Sequence, residues 1–310
     1  MNTQNASTAP GGRLEIFLLP EAGVRGAHVQ LDAAWREIIA RNEDPDAVRD
    51  LLGQAVAAAA LLTAHTKVDG RLSVQLRGTG ALRSLFAECT GARTVRGLVR
   101  LDEDASPTAA SAEAQDLRQL GSDAVMAITI ENPTPSGEPV RYQGLVPLES
   151  PTLAGAFENY FRQSEQLPTR LLLAANGEHA TGLLLQKLPA SQADDDGWNR
   201  IEQLFSTLGP GELQSVDATT LLHRLFHQET LQLLGQRDLH FGCSCSRERV
   251  AEVLRTLGPE EALAAVEAGH DGAAEIRCEF CGQRYHFDQS EVEALFLTPA
   301  PNTDAPHRLQ

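Results

Sequence analysis

Four of the chain's five cysteines stand as Cys243-Ser244-Cys245 and, after thirty-two intervening residues, Cys278-Glu279-Phe280-Cys281. Thiolates are soft ligands that suit zinc, and four converging on one ion make a closed, structural site with no open position for a substrate. The surroundings fit such a module. Ser246 is placed to cap a helix bearing Val250, Val253, Leu254 and Leu257, and Gly258-Pro259 ends it. A strand begins over Ile276 to Phe280, Cys281-Gly282 turns the chain, and Ser290 with Glu293 reads as a capping box for a last helix with Leu295 and Phe296. A module of roughly sixty residues with few large apolar side chains draws much of its folding free energy from the metal, so it should unfold without zinc.

The spacing alone is met equally by a zinc ribbon with no regulatory role. The C-x-C half adds something further, because two thiolates one residue apart are held close and, once oxidised, can pair only with each other or with a nearby partner. Oxidants attack thiolates preferentially, and turning them into disulfides destroys the zinc ligands. Cys89, between Glu88 and Thr90 in a strand-like run, reads as a buried structural cysteine. His223, His227 and His240 lie near the cluster in sequence, and the first two have the i, i+4 spacing of a metal pair, but four cysteines already suffice.

The rest of the chain is long enough for one main domain besides this module, since 310 residues is about twice the common domain size. Strand-like runs at Leu14 to Leu19 and Ala27 to Leu31 precede Asp32, which is placed to cap a helix with Trp35, Ile38 and Ile39, and Pro45 opens a longer helix through Leu62. Period-two alternation from Arg71 to Leu101, a hairpin around the turn-rich 132–139, a helix over 152–164 and strands over 169–174 and 180–188 complete an α/β core. The acidic stretch Pro189 to Gly197 is the clearest boundary, and two helices follow it, one carrying Trp198, Ile201, Leu204, Phe205 and Leu208, the other Leu221, Leu222, Leu225 and Phe226. Their apolar stripes must dock on a neighbour, because helices this short are marginal alone. The expected architecture is therefore α+β: a disordered leader over 1–12, a core domain over 13–189, a helical linker over 190–238, a zinc module over 239–298 and a tail over 299–310.

Charge narrows the function. The net charge is −16, with 9 basic and 20 acidic residues in 191–310 against 17 and 22 in 1–190, so the cysteine-bearing end is the acidic one and a poor match for nucleic acid. The longest apolar stretch, Ala55 to Ala64, is too short to span a bilayer and reads as a buried helix. The start MNTQNASTAPGGR lacks the basic and apolar regions of a secretory signal, which points to the cytoplasm. Catalytic constellations are scarce: Gly78-Thr79-Gly80 lacks the lysine and spacing of a phosphate loop, and no serine sits in a G-x-S-x-G elbow, so the chain does not read as an enzyme. The alternative is a zinc-dependent thiol oxidoreductase using Cys278 and Cys281, but that motif normally opens a helix, whereas here a turn between strands is expected.

Several longer segments carry a resemblance: LLTAHTKVDGRLSVQLRGTG at 61–80, FAECTG at 86–91, RYQGLVPL at 141–148, YFRQSEQLPTRL at 160–171, GLLLQKLP at 182–189, HRLFHQE at 223–229, FGCSCSRERV at 241–250 and CEFCGQRYHFD at 278–288. The chain resembles the redox-regulated 33 kDa heat-shock chaperone family of bacteria, also called the 33 kDa chaperonin. That resemblance implies a stress-response holdase, independent of ATP, kept inactive while reduced and bound to one zinc ion. It implies that oxidation pairs Cys243 with Cys245 and Cys278 with Cys281, releases zinc, unfolds the linker, favours a homodimer and exposes a surface that binds unfolded client proteins.

Overall fold

The computed structural model describes residues 11–41, 43–66, 68–135, 137–189, 194, 196–269 and 271–297. The expected leader up to residue 10, the tail over 299–310 and most of the acidic boundary stretch lie outside the described residues. Two compact units divide between Gly242 and Cys243. Gly11 and Gly12, expected in the leader, belong to the first unit: the Gly11 carbonyl accepts from the Asp32 and Ala34 amides at 3.0 and 2.8 Å, and Gly12 begins a strand.

The first unit is built on ten strands: β1 Gly12–Leu19, β2 Val24–Leu31, β3 Arg71–Arg77, β4 Leu82–Thr90, β5 Thr94–Leu101, β6 Val125–Asn132, β7 Val140–Pro147, β8 Thr169–Ala175, β9 Ala180–Lys187 and β10 Gln232–Phe241. They form one sheet in the order β7-β6-β3-β4-β5-β10-β1-β2-β9-β8. Its pairs are antiparallel except β10 with β5, which run parallel through His240 and Phe241. The sheet curls around helix α2, Asp46–His65, which follows α1, Ala33–Ile39, and packs on strands from both halves of the sheet. Its alanines permit that approach, and so does Gly182 of β9, where a Cβ would lie 2.7 Å from Leu61 Cδ1. Among the described residues α2 is the one helix long and apolar enough to cross a membrane, yet it is a core helix, with most of its length buried in the protein. Two further helices, α3 Pro107–Gln115 and α4 Leu153–Tyr160, flank the same core.

The opposite face of β1, β2, β8 and β9 is covered by α5 Gly197–Ser206, α6 Pro210–Ser215 and α7 Ala218–Phe226. Phe17, Leu19, Val24, Leu183 and Leu185 of the sheet meet Ile201, Phe205, Leu213, Leu221, Leu225 and Phe226 of the helices, all buried. The stripes noted in the sequence thus dock on the core domain. Arg200 of α5 braces the layer by donating to Glu229 Oε1, 2.6 Å away beyond α7.

Three local readings need correction. Asp32 does not cap α1; its Oδ1 instead faces His179 Nδ1 at 2.7 Å. The linker holds three helices rather than two, since Pro210 opens α6 between the pair expected. The segment expected to be helical through 238 becomes strand β10 at Gln232, because pairing with β1 decides its backbone where its side chains do not alternate. A register shift between Ile16 and Phe17 leaves Leu234 as the extra residue of a bulge.

The second unit contains α8 Arg247–Leu257, α9 Pro259–Ala268, a hairpin of β11 Ala273–Arg277 and β12 Arg284–Asp288, and α10 Gln289–Leu297. Its core is small: Val250, Ala251, Leu254, Ala262, Val266, Ala274, Phe287 and Val292. Ser246 caps α8, its hydroxyl accepting from the Arg249 amide. Beyond α8 the sequence reading and the structure differ. Gly258, at a φ of 97°, redirects the chain, and Pro259 then begins α9 rather than ending helical structure. The strand lies at 273–277 and stops before Cys278, not over 276–280. The capping box sits two residues earlier than Ser290 and Glu293: Asp288 Oδ1 accepts from the Glu291 amide at 2.8 Å, and Glu291 Oε2 accepts from the Asp288 amide at 3.1 Å.

Candidate metal centre

Two short segments supply the four thiols. Cys243 and Cys245 lie between the end of β10 and the start of α8, an irregular stretch that the Ser246 cap terminates. Cys278 and Cys281 lie on the turn that joins β11 to β12. That turn is held by the Cys278 amide donating to the Gln283 carbonyl at 2.9 Å and the Gly282 amide donating to the Cys278 carbonyl at 2.8 Å. Gly282 has a φ of 71°, a left-handed conformation that glycine adopts without steric cost and that a β-branched residue would resist.

These turns bring the four sulfurs within 4.8 Å of one another. The Cys243 and Cys278 sulfurs are 3.6 Å apart, and those of Cys245 and Cys281 are 3.2 Å apart, too far for a disulfide bond in either pair. A tetrahedral zinc with bonds of about 2.3 Å separates its sulfur ligands by about 3.8 Å, and the observed spacing is of that order. Electrostatics gives a second test of fit. Burial and the neighbouring sulfurs push Cys281 up to about 12, and burial raises Cys243, whereas Cys245, despite its own burial, is held down to about 7 by the Tyr285 hydroxyl and the adjacent thiols. One thiol of such a crowd ionises readily and its neighbours then hold their protons, and a cation at the centre would let all four ionise. The residues therefore fit a thiophilic dication.

Two residues that the sequence reading passed over shape this site. Tyr285, on β12, donates its hydroxyl to Cys245 Sγ at 3.1 Å. Arg247, directly after the C-x-C segment, donates to the His286 carbonyl at 2.8 Å, pairs with Glu291 at 2.7 Å and stacks its guanidinium 4.1 Å over the Phe287 ring. It thereby fastens the first cysteine segment to the strand that follows the second. Their positions beside the cysteines were visible, but nothing in their spacing marks these contacts.

The remaining candidates lie elsewhere. Cys89 is fully buried in β4 with its sulfur 3.9 Å from Thr63 Oγ1, and burial pushes its thiol up to about 12. His223 and His227 lie on the outer side of α7 with ring centres 6.3 Å apart, and among the described residues the cysteine cluster alone gathers three or more metal-ligating groups. His240 pairs with Thr94 at the parallel seam of the sheet.

The family model described as Hsp33 protein matches residues 13–288. A 33 kDa chaperonin of Ectopseudomonas mendocina is 44% identical over 287 residues, covering 90% of this chain and 93% of its own. One from Chromobacterium violaceum is 39% identical over 284 residues, covering 92% and 93%. The crystal structure of the 33 kDa chaperonin of Thermotoga maritima shares the fold, with a TM-score of 0.74 at 22% identity over 93% of this chain and 98% of that one.

Proposed function

The chain belongs to the Hsp33 protein family, whose relatives are named chaperonins, and on that premise we propose that it is a redox-switched holdase without catalytic chemistry of its own. The observation that carries the reading is the apolar face of β1, β2, β8 and β9, which is covered by three short helices that only β10 separates in sequence from the four thiols.

Cys243, Cys245, Cys278 and Cys281 would hold zinc, which when bound balances their negative charge and ties together two segments that a small core barely joins. Each pair of thiolates then gives two electrons to hydrogen peroxide: one S–S bond forms, the O–O bond breaks, and two protons taken from solvent complete two waters. The family resemblance gives the pairs as Cys243 with Cys245 and Cys278 with Cys281. Disulfide sulfurs no longer serve as anionic ligands, so the second unit loses its cross-link and unfolds, and the short helices that precede it in sequence, marginal on their own, would then leave the sheet. Phe17, Leu19, Val24, Leu183 and Leu185 would then offer a continuous apolar surface to non-native clients, and to a second copy of the chain. Such a switch suits a cytoplasmic protein, where thiols are normally kept reduced.

The test follows zinc with a chromophoric chelator while the reduced protein is treated with peroxide at mild heat, and follows aggregation of a denatured client in parallel. Zinc loss together with suppressed aggregation supports the switch. Zinc loss without holding activity leaves the site structural and defeats the proposal.

A further inference from the structure

His28 lies in the middle of β2, between Ala27 and Val29, which point into the core around α2. By the alternation of a strand it stands on the opposite face, the one that α7 covers. It is 1% exposed, and its Nε2 is buried without a hydrogen-bond partner among the described residues. The ring lines a cavity of about 240 Å³ whose roof is the first turn of α7, Asp217, Ala218 and Thr219. A neutral ring fits this place. A charged imidazolium would forfeit its hydration there unless α7 moved.

We propose that His28 is a proton-operated latch beneath the linker: neutral, it lets α7 lie on the sheet, and protonated, it lifts α7 and uncovers the apolar face around Phe17. The latch rests on the reading that this face is the client surface, but it needs neither oxidant nor disulfide.

The groups facing His28 set its range. From β1 come Glu15, its cross-strand partner, and Arg13; from β2 itself, Gln30; from the entry to α1, Asp32, engaged with His179. From α7 comes Asp217, whose Oδ1 caps the helix by accepting from the Thr220 amide at 3.0 Å. On the β9 side its partner is Leu183, with no charge to offer. Burial holds His28 down to about 4 despite the pull of Asp217, against an ordinary value of 6.5. When α7 lifts, the ring meets water and its affinity for a proton returns. The uncovered state therefore binds more protons, so docking is fully present above pH 6.5 and is lost as pH falls toward 4. Glu15 is shifted upward by burial, so its protonation favours the docked state and opposes His28 at the acid end of the same window. From these values the opening constant of α7 rises about tenfold between pH 7.5 and 5.5.

The experiment is amide hydrogen exchange on reduced, zinc-loaded full-length protein at pH 7.5 and 5.5, corrected for intrinsic rates, with zinc occupancy read in the same samples. Wild type should lose about tenfold protection in α7, while His28→Gln and His28→Leu should lose almost none. Any zinc lost at the lower pH acts on all three proteins and cancels in the comparison. Equal losses in wild type and variants, or no loss in wild type, overturns the latch. Should both variants fail to fold, the wild-type His28 ring titrated by NMR serves instead: no titration above pH 5 supports the latch, and a titration near 6.5 overturns it. Client aggregation measured at the same two pH values separates the readings. Opening of α7 without holding activity sustains the latch and defeats the holdase assignment, whereas activity on oxidation without acid opening does the reverse.

Discussion

Truncating Phe226 should switch the protein on without touching a cysteine. The side chain is 2% exposed, closes α7 and packs its ring 6.3 Å from that of Phe17 on the sheet. Removing a buried phenylalanine side chain costs about 3–5 kcal/mol, and here that loss falls on the docked state, because α7 touches the core through this face. Each 1.4 kcal/mol is about a factor of ten, so the opening equilibrium of α7 should move by roughly two to three and a half orders of magnitude. Helices of 10, 6 and 9 residues have little stability of their own to absorb this. The expected result for Phe226→Ala is a reduced, zinc-loaded protein that suppresses client aggregation without oxidant and whose α7 amides exchange rapidly. Val140→Ala is the control, since Val140 is 64% exposed on the edge strand β7 and its loss should change neither readout. A Phe226→Ala protein that exchanges freely in α7 and yet holds no client would refute the assignment of the covered face as the client surface.

Four other outcomes are expected. Stripping the metal from the reduced protein with a chelator should abolish the slow-exchanging amides of the hairpin β11–β12 while those of α2 persist; retention of both would show that the second unit folds on its small core alone. Tyr285→Phe removes the hydroxyl that donates to Cys245 Sγ, so competition of the reduced protein with a chromophoric chelator should show zinc bound about 10–100-fold more weakly; unchanged affinity would show that this contact does not support the site. Gly197→Ala would place a Cβ 2.7 Å from Ala22 Cα, a backbone atom that cannot swing aside, so the start of α5 should loosen at a cost of about 1–3 kcal/mol, seen as faster proteolysis between α5 and α7. In the metal-free protein, whose first unit stays folded, a thiol reagent at pH 8 should modify four cysteines and spare Cys89, because that thiol is buried and pushed up to about 12; rapid loss of all five would contradict its place in the core.

The parts legible in the sequence were those where chemistry or periodicity is local. Alternation located the strands from Arg71 to Leu101, the alanine-rich run gave α2, and the cysteine spacing gave the site, because each pattern is a direct imprint of pleat, helix face or ligand turn. Strand β10 was hidden because its burial does not alternate: Leu233 and Leu234 are both exposed, and what makes it a strand is hydrogen bonding to β1, some two hundred residues away in sequence. Helix α9 was hidden for a different reason. Gly258-Pro259 signals a break, and a proline after a break equally well begins the next helix. Tyr285 and Arg247 act on the cysteines through a hairpin and a ring stack that no spacing rule encodes.

The order of elements explains how one chain could connect chemistry at sulfur to a surface built by its first strands. The three covering helices, then β10, then Gly242, lead without interruption to Cys243. Most of β10 is secured to β1, but its last two residues pair only with the edge of β5, through His240 and Phe241, before the Gly242 amide donates to the Val95 carbonyl at 3.2 Å. The seam next to the first thiol is therefore the thinnest pairing in the ten-stranded sheet, and the layer before it consists of helices too short to persist undocked. A protein built to open in response to sulfur chemistry needs its weak contacts adjacent in sequence to the sulfurs and its strong core elsewhere. Here the strong core is α2, wrapped by strands from both halves of the sheet, and among the described residues the linker over 190–238 contributes none of the side chains packed around it, which take only Leu239 and Phe241 from the end of β10. Opening the helical layer can thus uncover Phe17 and Leu185 while leaving intact the scaffold that presents them.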